Sequence, residues 1–273
     1  MLKEEFRRAF FSWSFLLAIA ITVASFVIGV KSYGGPVYPY PDNSNPFSRN
    51  AFDAFLYGMG LGGLLPFFAP LIAVLPFTVS FITDRSSGYI TFILSRTSFR
   101  KYITSKFLAN LLAGGISIAL PLLLGYGVIN IFYLRGLTPL PVSASEGWIN
   151  PSLAWAEGRG PFGYLYRTKP DLYIFSLIGI AFLWGATYAT LGMALSLFIR
   201  NKYSMLATPF VLYEIAHFVT SVLWMAKWSP LHNFAPFMLK STSYITTFGE
   251  IGIIFIISTI CIFMFAKKKR VYE

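Results

Sequence analysis

Few residues in this chain are equipped for chemistry, and the most suggestive are Glu214 and His217 in "PFVLYEIAHFVTSVLW". Three residues apart, they fall on one face of a helix, so a carboxylate and an imidazole stand together in a stretch that is otherwise apolar. An ionisable residue in such a place is costly and usually faces a partner or a water-filled path. Three roles fit: a hydrogen bond between Glu214 and His217, a contact from Glu214 to another helix, or the lining of a translocation path. "EIAH" also reads as E-x-x-H, half of a di-iron bundle motif, but the second half does not occur. A membrane serine hydrolase would want a Gly-x-Ser turn; "GIS" at 115–117 is the nearest, and no oxyanion element accompanies it or the two histidines, His217 and His232. A single cysteine, Cys261, leaves no internal disulfide and no thiolate cluster. No metal and no cofactor are therefore expected on this chain. The dipeptide Gly-Lys is missing from the sequence, and with it the G-x-x-x-x-G-K-[ST] phosphate loop. Any ATP-driven step, with its magnesium, is expected on a partner ATPase.

A second stretch points to binding rather than catalysis. "DRSSGYITFILSRTSFRKYITSK", residues 84–106, is a polar and basic island between long apolar runs. Asp84 and Arg85 close one helix, Ser86 to Gly88 break the chain, and Tyr89 to Leu94 suit a short helix lying across a membrane surface. Ser95 to Ser98 break it again, and Thr97 or Ser98 is a suitable N-cap for a helix running through Arg100, Tyr102 and Lys106. Tyr89, Phe92 and Leu94 beside Arg96 and Arg100 form an apolar anchor with a charged rim, the anatomy of a docking site. Arginines binding anionic headgroups would produce the same composition.

The elements that must carry these residues are set by composition. The chain has 273 residues, 56% hydrophobic and 12% charged, against about 45–50% and about 25% for a soluble domain. That contrast defines an all-α polytopic membrane protein. Runs of about 20 apolar residues, the length a span requires, occur near 13–30, 58–83, 107–134, 172–199, 203–226 and 249–266, giving six transmembrane helices. The last run is short after Glu250, so its helix is expected to begin earlier, with Glu250 at or just inside the outer boundary. "VKSYGG" follows the first run without a small-residue cleavage site, so that run reads as a retained span.

If the six helices alternate, Lys3, Arg7, Arg8, Arg85, Arg96, Arg100, Lys101, Lys106, Arg200, Lys202, Lys267, Lys268, Lys269 and Arg270 share one side, leaving 8 of the 22 basic residues for longer loops opposite. The positive-inside rule makes that side cytoplasmic, with both termini. The net charge of +11 is then a topology signal, and basic residues scattered among short loops argue against nucleic acid.

Several segments carry further expectations. Leu2, Phe6, Phe10 and Trp13 at near-helical spacing, with Lys3, Glu4, Glu5, Arg7 and Arg8 on the other faces, suit a helix at 1–12 in the interface. "KSYGGPVYPYPDNSNPFSRN" should be turn-rich. "GMGLGG" followed by Pro66, Pro70 and Pro76 marks a second span packed closely against protein. Residues 135–171 make the longest outer loop, with one short helix expected around "PSLAWAEG" capped by Ser152. "KWSPLHNFAPFMLKSTSY" suits a segment that dips into the outer leaflet without crossing.

The 84–106 stretch resembles the first cytoplasmic loop of ABC-2 type transporter permeases. The resemblance rests on Asp84 closing the second helix, the Ser87-Gly88 and Leu94-Ser95 pairs, Arg100, and Lys106 at the opening of the third helix. Thr97 stands where that family commonly has proline. The layout is similar too: an interfacial N-terminal helix, six spans and a Pro-containing segment after the fifth. The resemblance implies an exporter's membrane subunit in the plasma membrane, paired with a second permease chain as homo- or heterodimer and surrounded by lipid. It also implies a coupling helix between helices 2 and 3 that docks on a separate ABC ATPase subunit. The competing expectation is an ion-coupled carrier or channel using Glu214, which would need no docking surface at Tyr89 to Arg100.

Overall fold

The computed structural model describes residues 1–33, 50–133 and 158–267. The architecture is helical. α1 (Leu2–Phe10) turns at Phe11 and Ser12 into α2 (Trp13–Tyr33). α3 (Ala51–Leu56) passes through a wide π turn at Tyr57–Leu61 and is followed by α4 (Leu65–Val74), α5 (Ser80–Ser86), α6 (Tyr89–Leu94) and the long α7 (Phe99–Phe132). A single turn, α8 (Leu165–Thr168), leads into α9 (Pro170–Ser196) and α10 (Lys202–Val222). Three short pieces follow, a 3-10 turn at Ala226–Trp228, α11 (Pro230–Phe234) and a second 3-10 turn at Pro236–Met238, before α12 (Tyr244–Lys267).

Five of these helices, α2, α7, α9, α10 and α12, are long and apolar enough to cross a membrane, and the bent pair α3–α4 makes a sixth if counted as one span. The expected continuous helix over 58–83 is therefore corrected. The helix begins at Ala51, bends by 68° and is interrupted again before α5. Glycine at 58, 60, 62 and 63 leaves the backbone weakly committed to a helix. Pro66, lacking an N–H, fits the first turn of a new helix better than the interior of an old one. The third helix starts at Phe99, directly after the expected Thr97–Ser98 break and ahead of its apolar run at 107, and the last at Tyr244, as its short apolar run requires.

α9 is the axis of the bundle. Two thirds of its apolar window is buried, against 17% for α10 and for α12. It meets α7 through small residues. A Cβ added to Gly114 would fall on the Ala189 Cβ, 2.9 Å from the Ala73 carbonyl oxygen and 3.0 Å from that of Gly185. Asn110 seals the same contact, donating from Nδ2 to the Ala189 carbonyl at 2.6 Å and accepting from the Thr78 hydroxyl at 2.9 Å. On another face of α9, at the same level, aromatic residues dominate. Trp184 stacks on Tyr188 at 3.9 Å between ring centroids and meets Tyr213 and Phe234 edge-on.

Phe234, Ala235 and Phe237 are fully buried, so the segment after α10 folds back into the bundle. Near the same end, Asn50 caps α3 by accepting from the Asp53 amide at 2.7 Å, and the Tyr166 hydroxyl donates to the Asp53 carboxylate. Tyr33 closes α2 and packs on Tyr57, while Tyr38 and Tyr40 of the first loop, most of the 135–171 loop and the helix expected at Ser152 lie outside the described residues.

Candidate functional site

Between α4 and α7 the chain forms the expected succession of helix, short helix, helix. The first break is made by Gly88, whose φ of +71° lies in the left-handed region that only glycine occupies without strain. At the second break Ser98 holds the N-cap position of α7 without a side-chain capping bond. The Thr97 hydroxyl donates back to the Ile93 carbonyl at 3.0 Å. Neither residue caps as expected.

The residues of this segment divide into an exposed set and a buried one. Gly88, Tyr89, Phe92, Arg96 and Arg100 are exposed, while Ile90 turns inward on Phe81, Tyr102 and Ile103. Tyr89 and Phe92 stack at 6.5 Å, and the Arg96 guanidinium lies over the Phe92 ring at 4.6 Å. Arg96 thereby holds an aromatic ledge flat. Asp84 and Lys106, grouped with the docking residues on sequence grounds, are instead 2% and 1% exposed. A side chain so enclosed cannot touch a partner, so the two belong to the mounting of the ledge.

That mounting is a cluster of four charges. The Arg8 guanidinium grips the Asp84 carboxylate two-handed, Nη2 to Oδ1 at 2.6 Å and Nη1 to Oδ2 at 3.2 Å. Oδ2 also accepts from the Tyr102 hydroxyl at 2.8 Å and faces the Lys106 ammonium at 2.8 Å. Lys106 reaches Glu5 at 3.3 Å, donates to the Ser80 hydroxyl at 2.9 Å and lies 4.8 Å from the centroid of the Phe77 ring. Glu5 closes the circuit to Arg8 at 3.3 Å. Two anions against two cations leave the set formally neutral, the condition under which buried charges are tolerated.

Burial pushes the Asp84 carboxyl up, but the Arg8 hydrogen bond and the Lys106 charge outweigh it and hold the group below its ordinary 3.8. The Asp84 hydrogen bond in turn raises the Arg8 guanidinium above its ordinary value, against the opposing effect of burial. Arg8 also stands over the Tyr89 ring at 5.3 Å. One side chain thus joins the exposed ledge to α1, while Asp84 joins α5 to α7.

Glu5, Arg8 and Tyr102 are the members of the cluster that the sequence did not single out. On sequence grounds Glu5 and Arg8 fall on the faces of α1 away from Leu2, Phe6 and Phe10. A signal existed: Glu5, Arg8, Ala9 and Ser12 recur at i, i+3, i+4 and i+7, and the small residues in that stripe mark a face pressed on something. The Ala9 side chain is fully buried there.

At the other end of the bundle no hydrogen bond joins Glu214 to His217, the first of the three roles open to the pair. His217 Nδ1 meets the Ser229 hydroxyl at 2.6 Å, and Glu214 Oε1 is buried without a hydrogen-bond partner. Glu214 lies on a helix whose Val211, Ile215 and Phe218 are exposed. Glu250, in the second turn of α12, accepts from Asn233 at 2.7 Å and from Tyr188 at 3.4 Å. No group of three or more His, Cys, Asp or Glu residues suited to a metal occurs among the described residues.

Comparison with protein-family models, with curated proteins and with solved structures finds no match to this chain. The class the fold defines is a helical polytopic membrane protein.

Proposed function

We propose that the chain is the membrane-spanning subunit of an ABC exporter, with both termini and the 84–106 segment cytoplasmic. It would be paired with a second permease chain in the plasma membrane and driven by ATPase subunits that bind ATP and magnesium. The observation that carries this reading is the mounting of α6. An exposed aromatic and arginine ledge is fixed, through a neutral buried charge cluster, to both α1 and the foot of α7. A ledge that only touched lipid headgroups would not need such an anchorage.

The coupling follows from the connections. Force on Tyr89 and Phe92 passes through Arg8 to α1, and through Asp84, Tyr102 and Lys106 to α7, which packs on the central α9. ATP would switch the path by binding more tightly to one conformation of the assembly than to the other.

A mild-detergent pull-down from the native membrane tests the proposal. An ATP-hydrolysing protein of ABC type is expected to accompany the chain and to be lost when Arg96 and Arg100 are both reversed to glutamate, with membrane insertion intact. Full ATPase and transport activity in that double variant would defeat the reading.

One observation favours the ion-coupled carrier instead, the unpartnered Glu214 carboxylate on an exposed apolar face, since such a group asks for a partner or a wet path. Glu214→Gln should spare assembly and change transport. If the chain purifies alone and exchanges ions in liposomes, the carrier reading replaces the exporter.

A further inference from the structure

The chain has two histidines, and the fold brings them together. His217 on α10 and His232 on α11 stand with ring centroids 5.9 Å apart, edge to face. His217 is tied by Nδ1 to the hydroxyl of Ser229, a residue fully buried just ahead of α11. His232 Nδ1 is buried and makes no hydrogen bond of ordinary geometry. The pair therefore sits at the joint between a long helix and the segment that folds back beside it. The chain enters that segment through Trp224, whose φ of +57° is strained for a bulky side chain. The fold-back is held by contacts that outweigh the strain: buried Phe234 and Phe237, the Asn233–Glu250 hydrogen bond, and the His217–Ser229 bond.

Few charged groups surround the pair among the described residues. α10 contributes Glu214 and Tyr213, and the 3-10 turn at Ala226–Trp228 adds a cation, Lys227. α12 brings Tyr244 and Glu250; the Glu250 carboxylate is taken by Asn233 and by Tyr188 of α9. α4 and the turn at Pro236–Met238 carry no ionisable residue. A charged His232 would face the His217 ring, and the carboxylate of α10, Glu214, is hydrogen-bonded to neither ring.

We infer that His217 and His232 form a proton-operated latch: with the His232 ring neutral the 225–239 segment stays docked on α10, and acidification that charges His232 against the His217 ring releases it. The inference is independent of the exporter reading. Burial, and then the His217 charge, lower the His232 imidazole below its ordinary 6.5, against a smaller opposing effect from the Ala226 backbone. The docked form consequently binds fewer protons than the released one. Docking is at full strength above 6.5 and weakens as pH falls below it.

The test uses the full chain in nanodiscs without any ATPase. Hydrogen–deuterium exchange over 225–239, corrected for intrinsic rates, is compared at about pH 7.5 and about pH 5. Wild type should lose protection by about tenfold for each unit separating the docked and released values. His217→Gln and His232→Gln should each lose much less. Unchanged wild-type protection, or an equal loss in wild type and both variants, overturns the latch. Because a variant can fail to fold, histidine NMR titration of the wild type supplies a second reading. His232 is expected to titrate below 6.5, and its titration at or above the ordinary value would also overturn the proposal.

Discussion

Replacing Asp84 by alanine isolates what the buried cluster contributes. The substitution removes the acceptor of two Arg8 N–H groups and of the Tyr102 hydroxyl, and it leaves the Lys106 ammonium, 1% exposed, facing Glu5 alone. Breaking a buried pair from one side costs about 3–5 kcal/mol, because the remaining charge keeps its desolvation penalty. Spread over a chain of this size, roughly 2–4 °C per kcal/mol, the loss corresponds to a fall in Tm of roughly 6–20 °C. Thermal unfolding in nanodiscs, followed by tryptophan fluorescence, reads it directly. The triple variant Glu5→Gln, Asp84→Asn, Lys106→Met is the control. It removes both anions and the buried cation together, leaving only the half-exposed Arg8, and should recover most of the stability, since whole buried ion networks can be replaced at little cost. An Asp84→Ala protein melting within about 1 kcal/mol of wild type would refute the reasoning. So would a triple variant less stable than the single one.

Other expectations follow from particular positions. Gly88→Ala meets no atom within 4 Å but is held at positive φ. It should cost roughly 1–2 kcal/mol and loosen exchange protection of Tyr89–Leu94 by about tenfold or more; unchanged protection would show that the left-handed turn is not needed. On α7, Gly114→Ala should destabilise by about 1–3 kcal/mol through overpacking against α9. Gly127→Ala on the same helix has open space and should be neutral or mildly stabilising; a chemical denaturation series ranks the two. Asp84 is charged in the fold at a lower pH than its ordinary 3.8. Its contribution is thus complete above 3.8 and lost as pH falls through the folded value. Release of α1 under acid, followed by limited proteolysis after Arg7, should appear only below 3.8 and be shifted upward by Arg8→Gln.

Composition and hydropathy alone determined that the chain is a bundle of membrane-crossing helices, because the hydrocarbon core demands about 20 apolar residues per span and such runs are visible without any contact. The break at Ser86 to Gly88 was legible for a similarly local reason: a left-handed turn requires glycine. The interruption of the second span was not. The glycines and prolines that allow it are in plain view, but whether neighbouring helices satisfy the freed backbone groups is a property of packing. The site divides along the same line. The exposure of Tyr89 and Phe92 on a short surface helix, and of Arg96 just past its end, follows the local reading of the segment. The withdrawal of Asp84 and Lys106 into the interior did not, since their partners Glu5 and Arg8 are distant in sequence. Glu214 and His217 were paired by spacing, yet His217 found Ser229 and His232 on a segment that folds back. Sequence periodicity determines which residues share a face; only the tertiary structure decides what that face meets.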